Sequence, residues 1–136
     1  MYNINQVKDL ISNIYLEYSL ISSVEIDRKK LDLSAYPWIL EEITDNVLYL
    51  LEFIPIDEIE TSWNYIIPQI DKNNLCPFIA THGDHLFCVD VSEKNYGNIF
   101  YVDWDFGVFP LKEDAKTFLS KLEDISQGNW WEDKPS

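Results

Sequence analysis

Basic residues are scarce in this sequence: 10 lysines and arginines stand against 24 aspartates and glutamates, a formal charge of -14. A chain so negative repels polyanions, which argues against direct binding to nucleic acid or an anionic membrane and favours a partner with a basic surface. Cysteine is scarce too. Cys76 and Cys88 are too few for a disulfide framework and sit in apolar, strand-like runs, where a free thiol behaves as a small core residue; a bridge between them is the less favoured alternative. Long apolar runs are missing. The best candidate, residues 47–56, is interrupted by Glu52 and Pro55 and falls short of the ~18 residues that suggest a membrane span. The first ten residues lack the basic region and apolar core of a secretory signal, so the expectation is a soluble, cytoplasmic protein. There is no internal repeat and no low-complexity segment.

What is present suffices for one folded domain: 136 residues, of which 46% are hydrophobic and 15% aromatic. Residues 4–21 carry Val7, Leu10, Ile11, Ile14, Tyr18 and Ile21 at helical spacing, with Asn3 and Gln6 arranged as a cap and its reciprocal partner. Residues 24–33, including Asp27-Arg28-Lys29-Lys30, read as an exposed connector, and Ser34 and Pro37 open a short helix ending near Asp45. Residues 47–54, bounded by Asn46 and Pro55, read as a buried strand in preference to a helix continuing from residue 38, which periodicity alone also allows. Asp57 reads as the cap of a helix bearing Ile59, Trp63, Ile66 and Ile67, which Pro68 should end. Residues 76–80, 85–91 and 98–105 are three strand-like runs separated by turn formers, an antiparallel meander with a further short strand at 108–109 stopped by Pro110. Leu111, Ala115, Phe118, Leu119 and Leu122 share one stripe of a last helix over residues 112–123, which should pack on the sheet. The fold class is α+β: a single domain over residues 1–125 with an antiparallel or mixed sheet packed by helices. A polar C-terminal tail, residues 126–136, follows, whose Trp130 and Trp131 are expected to dock on the domain.

The chemistry-bearing residues are few. His82, Asp84 and His85 in THGDH have metal-ligand types, but they lie in a turn with too few companions, and a polar hairpin is the preferred reading; no metal or cofactor is expected. Asp103 and Asp105 flank Trp104 and would share one side of a persisting strand, forming an anionic strip rather than the carboxylate pair of a glycosidase. No serine elbow, phosphate loop or HExxH occurs, so no catalytic residue is assigned and the protein is not expected to be an enzyme. Asp57, Glu58, Glu113 and Asp114 suit helix starts, whereas the acids of strands and turns have no such local reason. With neighbouring aromatics they compose a surface suited to capturing a basic protein: Asp84, Asp90, Tyr101, Asp103, Trp104 and Asp105 are the partner-binding candidates, and the strand neighbours of Asp90 point to partial burial.

The succession LEFIPIDEIETSWNYI, CPFIATHGDHLFCVDV and GNIFYVDWDFGVFPLKEDAKTFLSKLE resembles the Smi/Knr family of the SUKH superfamily. Residues 51–59, 77–90 and 97–122 carry the match, while residues 33–46 depart from the family's pattern. The resemblance implies an α+β fold and, for bacterial members, a cytosolic immunity protein that binds and neutralises a cognate toxin, often a nuclease, of a polymorphic toxin system. A toxin acting on nucleic acid presents a basic cleft that an acidic protein can cover, so the charge balance points the same way. Two other readings compete: a SUKH-like regulatory or scaffolding module, as eukaryotic members resemble, and a small enzyme or metal-binding protein.

Overall fold

The backbone hydrogen bonds of seven strands unite in one antiparallel sheet, ordered β6-β5-β4-β3-β2-β1-β7. The strands are β1 (Lys29–Asp32), β2 (Val47–Phe53), β3 (Leu75–Thr81), β4 (Leu86–Asp90), β5 (Asn98–Asp103), β6 (Gly107–Asp114) and β7 (Glu123–Asp124). Among the described residues four α-helices accompany them: α1 (Ile4–Ile21), α2 (Pro37–Leu40), α3 (Ile59–Ile70) and α4 (Ala115–Ser120). The structure is a computed structural model that describes residues 2–126 and 128–133. This is the α+β architecture expected, and the meander β3-β4-β5 is its centre.

The apolar stripe of α1 buries Val7, Ile11, Ile14 and Tyr18, and the Asn3 side chain accepts hydrogen bonds from the backbone of Asn5 and Gln6, which satisfies two of the donors a helix start leaves free. The Tyr15 hydroxyl donates to the Ile54 and Phe78 carbonyls and so ties α1 to the end of β2 and to β3. On β4, Phe87 faces Phe118 of α4 with ring centroids 4.9 Å apart. Strand alternation turns Leu86 the other way, toward α3.

Five local expectations are corrected. The basic run is no exposed connector: Lys29 and Lys30 belong to β1, where Lys29 pairs with Asp124 and Lys30 with Asp133 at 2.8 Å. Strand pairing with β2 and these carboxylate partners, of which the Asp133 side chain is buried and Asp124 exposed, outweigh the preference of isolated cations for solvent. Asp57 caps nothing; it lies in a short 3-10 turn, Ile56–Glu58, and α3 starts one residue after Glu58 without a side-chain cap. Pro68 lies within the last turn of α3, where it forfeits one helical hydrogen bond without ending the helix, which stops instead at Asp71 in the left-handed conformation. Pro110 does not stop its strand because β6 is an edge strand, where a proline forfeits no ladder bond. The last helix is shorter than its stripe, because β6 stays extended to Asp114, which caps α4 by accepting from the Thr117 amide. Cys76 and Cys88 are free and buried.

Candidate functional site

Antiparallel registry brings three chain segments to one end of the sheet: the entry to β2, the turn joining β3 to β4, and the turn joining β5 to β6. Thr81 organises the first of these turns. Its hydroxyl accepts from the Gly83 and His85 amides, and its own amide donates to the His85 carbonyl. Asp84 takes a φ of 64° there, a region that aspartate enters more readily than most residues. The second turn is organised by Asp103. One carboxylate oxygen, Oδ1, accepts from the Asp105 and Phe106 amides at 2.9 and 3.1 Å, and the other accepts from the Tyr101 hydroxyl at 2.9 Å. Gly107, at a φ of 118° that a side chain would disfavour, lets the chain re-enter as β6.

The two turns are joined through Trp104. Its backbone amide donates to His85 Nδ1 at 3.2 Å, and its indole Nε1 donates to the Asp84 carbonyl at 2.7 Å. The neutral His85 ring therefore carries its proton on Nε2, which faces Asp103 Oδ2 at 3.6 Å.

The six candidate residues thus divide. Asp103, Tyr101 and Asp90 are buried, at 4%, 0% and 1% exposure. Asp90 accepts from the Asn74 side chain and the Ser92 amide, and burial beside Asp103 pushes the Tyr101 hydroxyl well above its ordinary pKa. Asp84, Trp104 and Asp105 are exposed. The expected strip of Asp103 and Asp105 does not form, because β5 ends at Asp103 and the carboxylate folds back on the turn it caps.

On the α3 side, Trp104 and Asp84 line a groove with Tyr65, Ile66, Gln69 and Leu86, about 550 Å³ in volume. Tyr65 is 69% exposed. The sequence reading passed over it, although an aromatic residue beside the α3 stripe of Trp63 and Ile66, rather than within it, is a visible signal. On the other side of the β3–β4 turn, Asp45, Tyr49, His82 and Trp130 line a smaller cleft. Trp130 docks there, its ring stacked on His82 with centroids 4.7 Å apart, whereas Trp131, expected to dock with it, is exposed.

For metal binding, the THGDH histidines are not the relevant pair. His85 instead meets Asp103 and Asp105, with ligand atoms within 4.8 Å of one another. These groups fit an ion poorly, since His85 Nδ1 and both Asp103 oxygens already hold hydrogen bonds and the remaining nitrogen carries a proton. The arrangement suits a rigid, acidic and aromatic contact surface better than acid–base or metal chemistry. No described helix is long and apolar enough to cross a membrane.

Residues 25–123, well over half of the chain, match the family model described as RhsPI. No curated protein matches the chain.

Proposed function

The chain belongs to the RhsPI family of Rhs-associated immunity proteins, and from that membership we propose that it neutralises a cognate Rhs toxin by binding it through the acidic, aromatic end of its sheet. The family match is the observation that carries this reading. The local support is the groove beside α3, where exposed Trp104 and Tyr65 offer the aromatic anchors that dominate protein interfaces, rimmed by Asp84 with Asp105 close by. Trp104 is held in place by its two hydrogen bonds, so little side-chain entropy remains to be lost on binding. The charge of -14 favours a toxin with a basic surface, such as a nuclease whose cleft must attract nucleic acid. The role is binding, without catalysis, in the cytoplasm where a toxin would act. The likeness of residues 51–59, 77–90 and 97–122 to the Smi/Knr pattern supports a SUKH-type version of the immunity fold.

The test is co-expression with the cognate toxin and measurement of affinity. Asp84→Asn combined with Asp105→Lys should weaken binding at least tenfold and remove protection, while the unfolding free energy changes by less than ~0.5 kcal/mol, as exposed substitutions do. Asparagine is chosen at 84 because it tolerates the left-handed backbone. Trp104→Ala should cost about 2 kcal/mol or more of binding. Unchanged affinity in both variants would move the toxin site elsewhere on the molecule.

A further inference from the structure

The smaller cleft, on the opposite side of the β3–β4 turn from Trp104, has a composition of its own. Its volume is about 220 Å³, below the ~300–1,000 Å³ typical of small-molecule sites and of the order of one large side chain. One wall is aromatic: the Trp130 ring lies on His82 at an interplanar angle of 22°, and Tyr49 packs against it at 5.7 Å, tilted by 44°. Asp45 is exposed at its edge and lies close enough to Tyr101 to oppose ionisation of that hydroxyl. Among the described residues, no lysine or arginine lines it. Burial holds His82 below its ordinary pKa, against the pull of nearby Asp27, so at neutral pH the ring adds no cation.

An aromatic wall beside an exposed carboxylate suits a guanidinium, which is planar, stacks on aromatic faces and pairs with carboxylates in a fixed fork; an ammonium, compact and strongly hydrated, gains less from such a wall. We infer that this cleft receives an arginine side chain of the partner, stacked on Trp130 and paired with Asp45. The inference rests on the reading of the chain as a toxin-binding protein and adds a second, chemically defined contact to it. Of the wall, His82 and Tyr49 lie within the family-matched span, residues 25–123, whereas Trp130 lies outside it, on a strap of residues 128–133.

The strap is held independently of the cleft's contents. Asp133 accepts from Lys30, from the Tyr49 hydroxyl and from the Ser126 amide, and Arg28 donates to the Gly128 carbonyl. Asp45→Asn should therefore remove the carboxylate and leave the wall standing, which Trp130→Ala need not do.

The isotope-labelled full chain is titrated with N-acetyl-arginine amide and, at matched ionic strength, with N-acetyl-lysine amide, following the Trp130 indole N–H and the Gly83 amide by NMR. Saturable shifts at both positions are expected with the arginine probe, about fivefold weaker binding with the lysine probe, and about fivefold weaker arginine binding in Asp45→Asn. No saturable shift, or equal response to the two probes, overturns the inference. In a second measurement Asp45→Asn should lower affinity for the cognate toxin about fivefold to tenfold. If the toxin binds the unaltered chain and Asp45→Asn equally well, the arginine contact is wrong and the immunity reading stands. If no Rhs toxin binds the unaltered chain, the immunity reading fails, and the arginine contact, which rests on it, falls with it.

Discussion

Asp103 shows how one carboxylate can be diverted from recognition to architecture. Its oxygens receive two backbone amides and a tyrosine hydroxyl, and they shape the turn that presents Trp104 to solvent. Asp103→Ala should therefore destabilise the fold by about 1–3 kcal/mol, the cost of leaving buried donors unpaired, and Asp103→Asn, which keeps an acceptor oxygen, should cost less; urea unfolding measures both. An alanine variant as stable as the parent would mean that water replaces the carboxylate. The thiols make a second residue-scale case. Burial pushes Cys76 up to about 12 and Cys88 well above its ordinary value, so neither forms much thiolate at neutral pH. Native protein should resist alkylation at pH 8 and become doubly modified once unfolded, as read by mass spectrometry; rapid native labelling would contradict the burial.

Among the elements, β1 and the C-terminal strap depend on each other. β1 is four residues long and pairs with β2 on one side and with the two-residue β7 on the other, while Lys30 reaches across to Asp133. The Lys30 ammonium, helped by the Ser126 amide and the Tyr49 hydroxyl, holds the Asp133 carboxyl far below the usual carboxylate range. A carboxyl with a lowered folded pKa stabilises the docked strap at pH values above its unfolded pKa of about 4, and that contribution disappears as the pH falls below this toward the folded value. Hydrogen-exchange protection of the Ser126 amide should thus fall between about pH 4 and pH 2 before the sheet opens. Asp133→Asn should show the weakened protection already at pH 7, and protection unchanged in that variant would place the strap's stability in the Trp130 stack instead.

At the scale of the whole molecule, the charge of -14 produces a field that draws a basic partner in from beyond contact distance. Screening shortens its reach to about 8 Å at ~0.15 M salt, so the association rate with the toxin should drop steeply as salt rises while dissociation changes less. Stopped-flow measurements across a salt series check this; a flat association rate would confine recognition to short-range contacts.

The sequence alone settled the features that depend on near neighbours in the chain. The α1 stripe and the β3-β4-β5 meander were legible because periodicity and turn formers act within a few residues, the β2 run was legible as a strand by its length and its bounding Asn46 and Pro55, and composition settled the negative field. The resemblance to immunity proteins lay in the order of motifs along the chain and agrees with the family match. Only the tertiary structure decided which acids face a partner. Asp103 and Asp105 are two residues apart, yet one caps a turn and the other meets solvent, because strand β5 ends between them. It likewise decided that Lys29 and Lys30 form a strand rather than a loop, since their partners Asp124 and Asp133 lie about a hundred residues away. The cleft of Asp45, His82 and Trp130 was beyond any local pattern for the same reason: strand pairing and strap docking gather its walls from three distant segments, and long-range contacts of that kind leave no periodicity in the sequence.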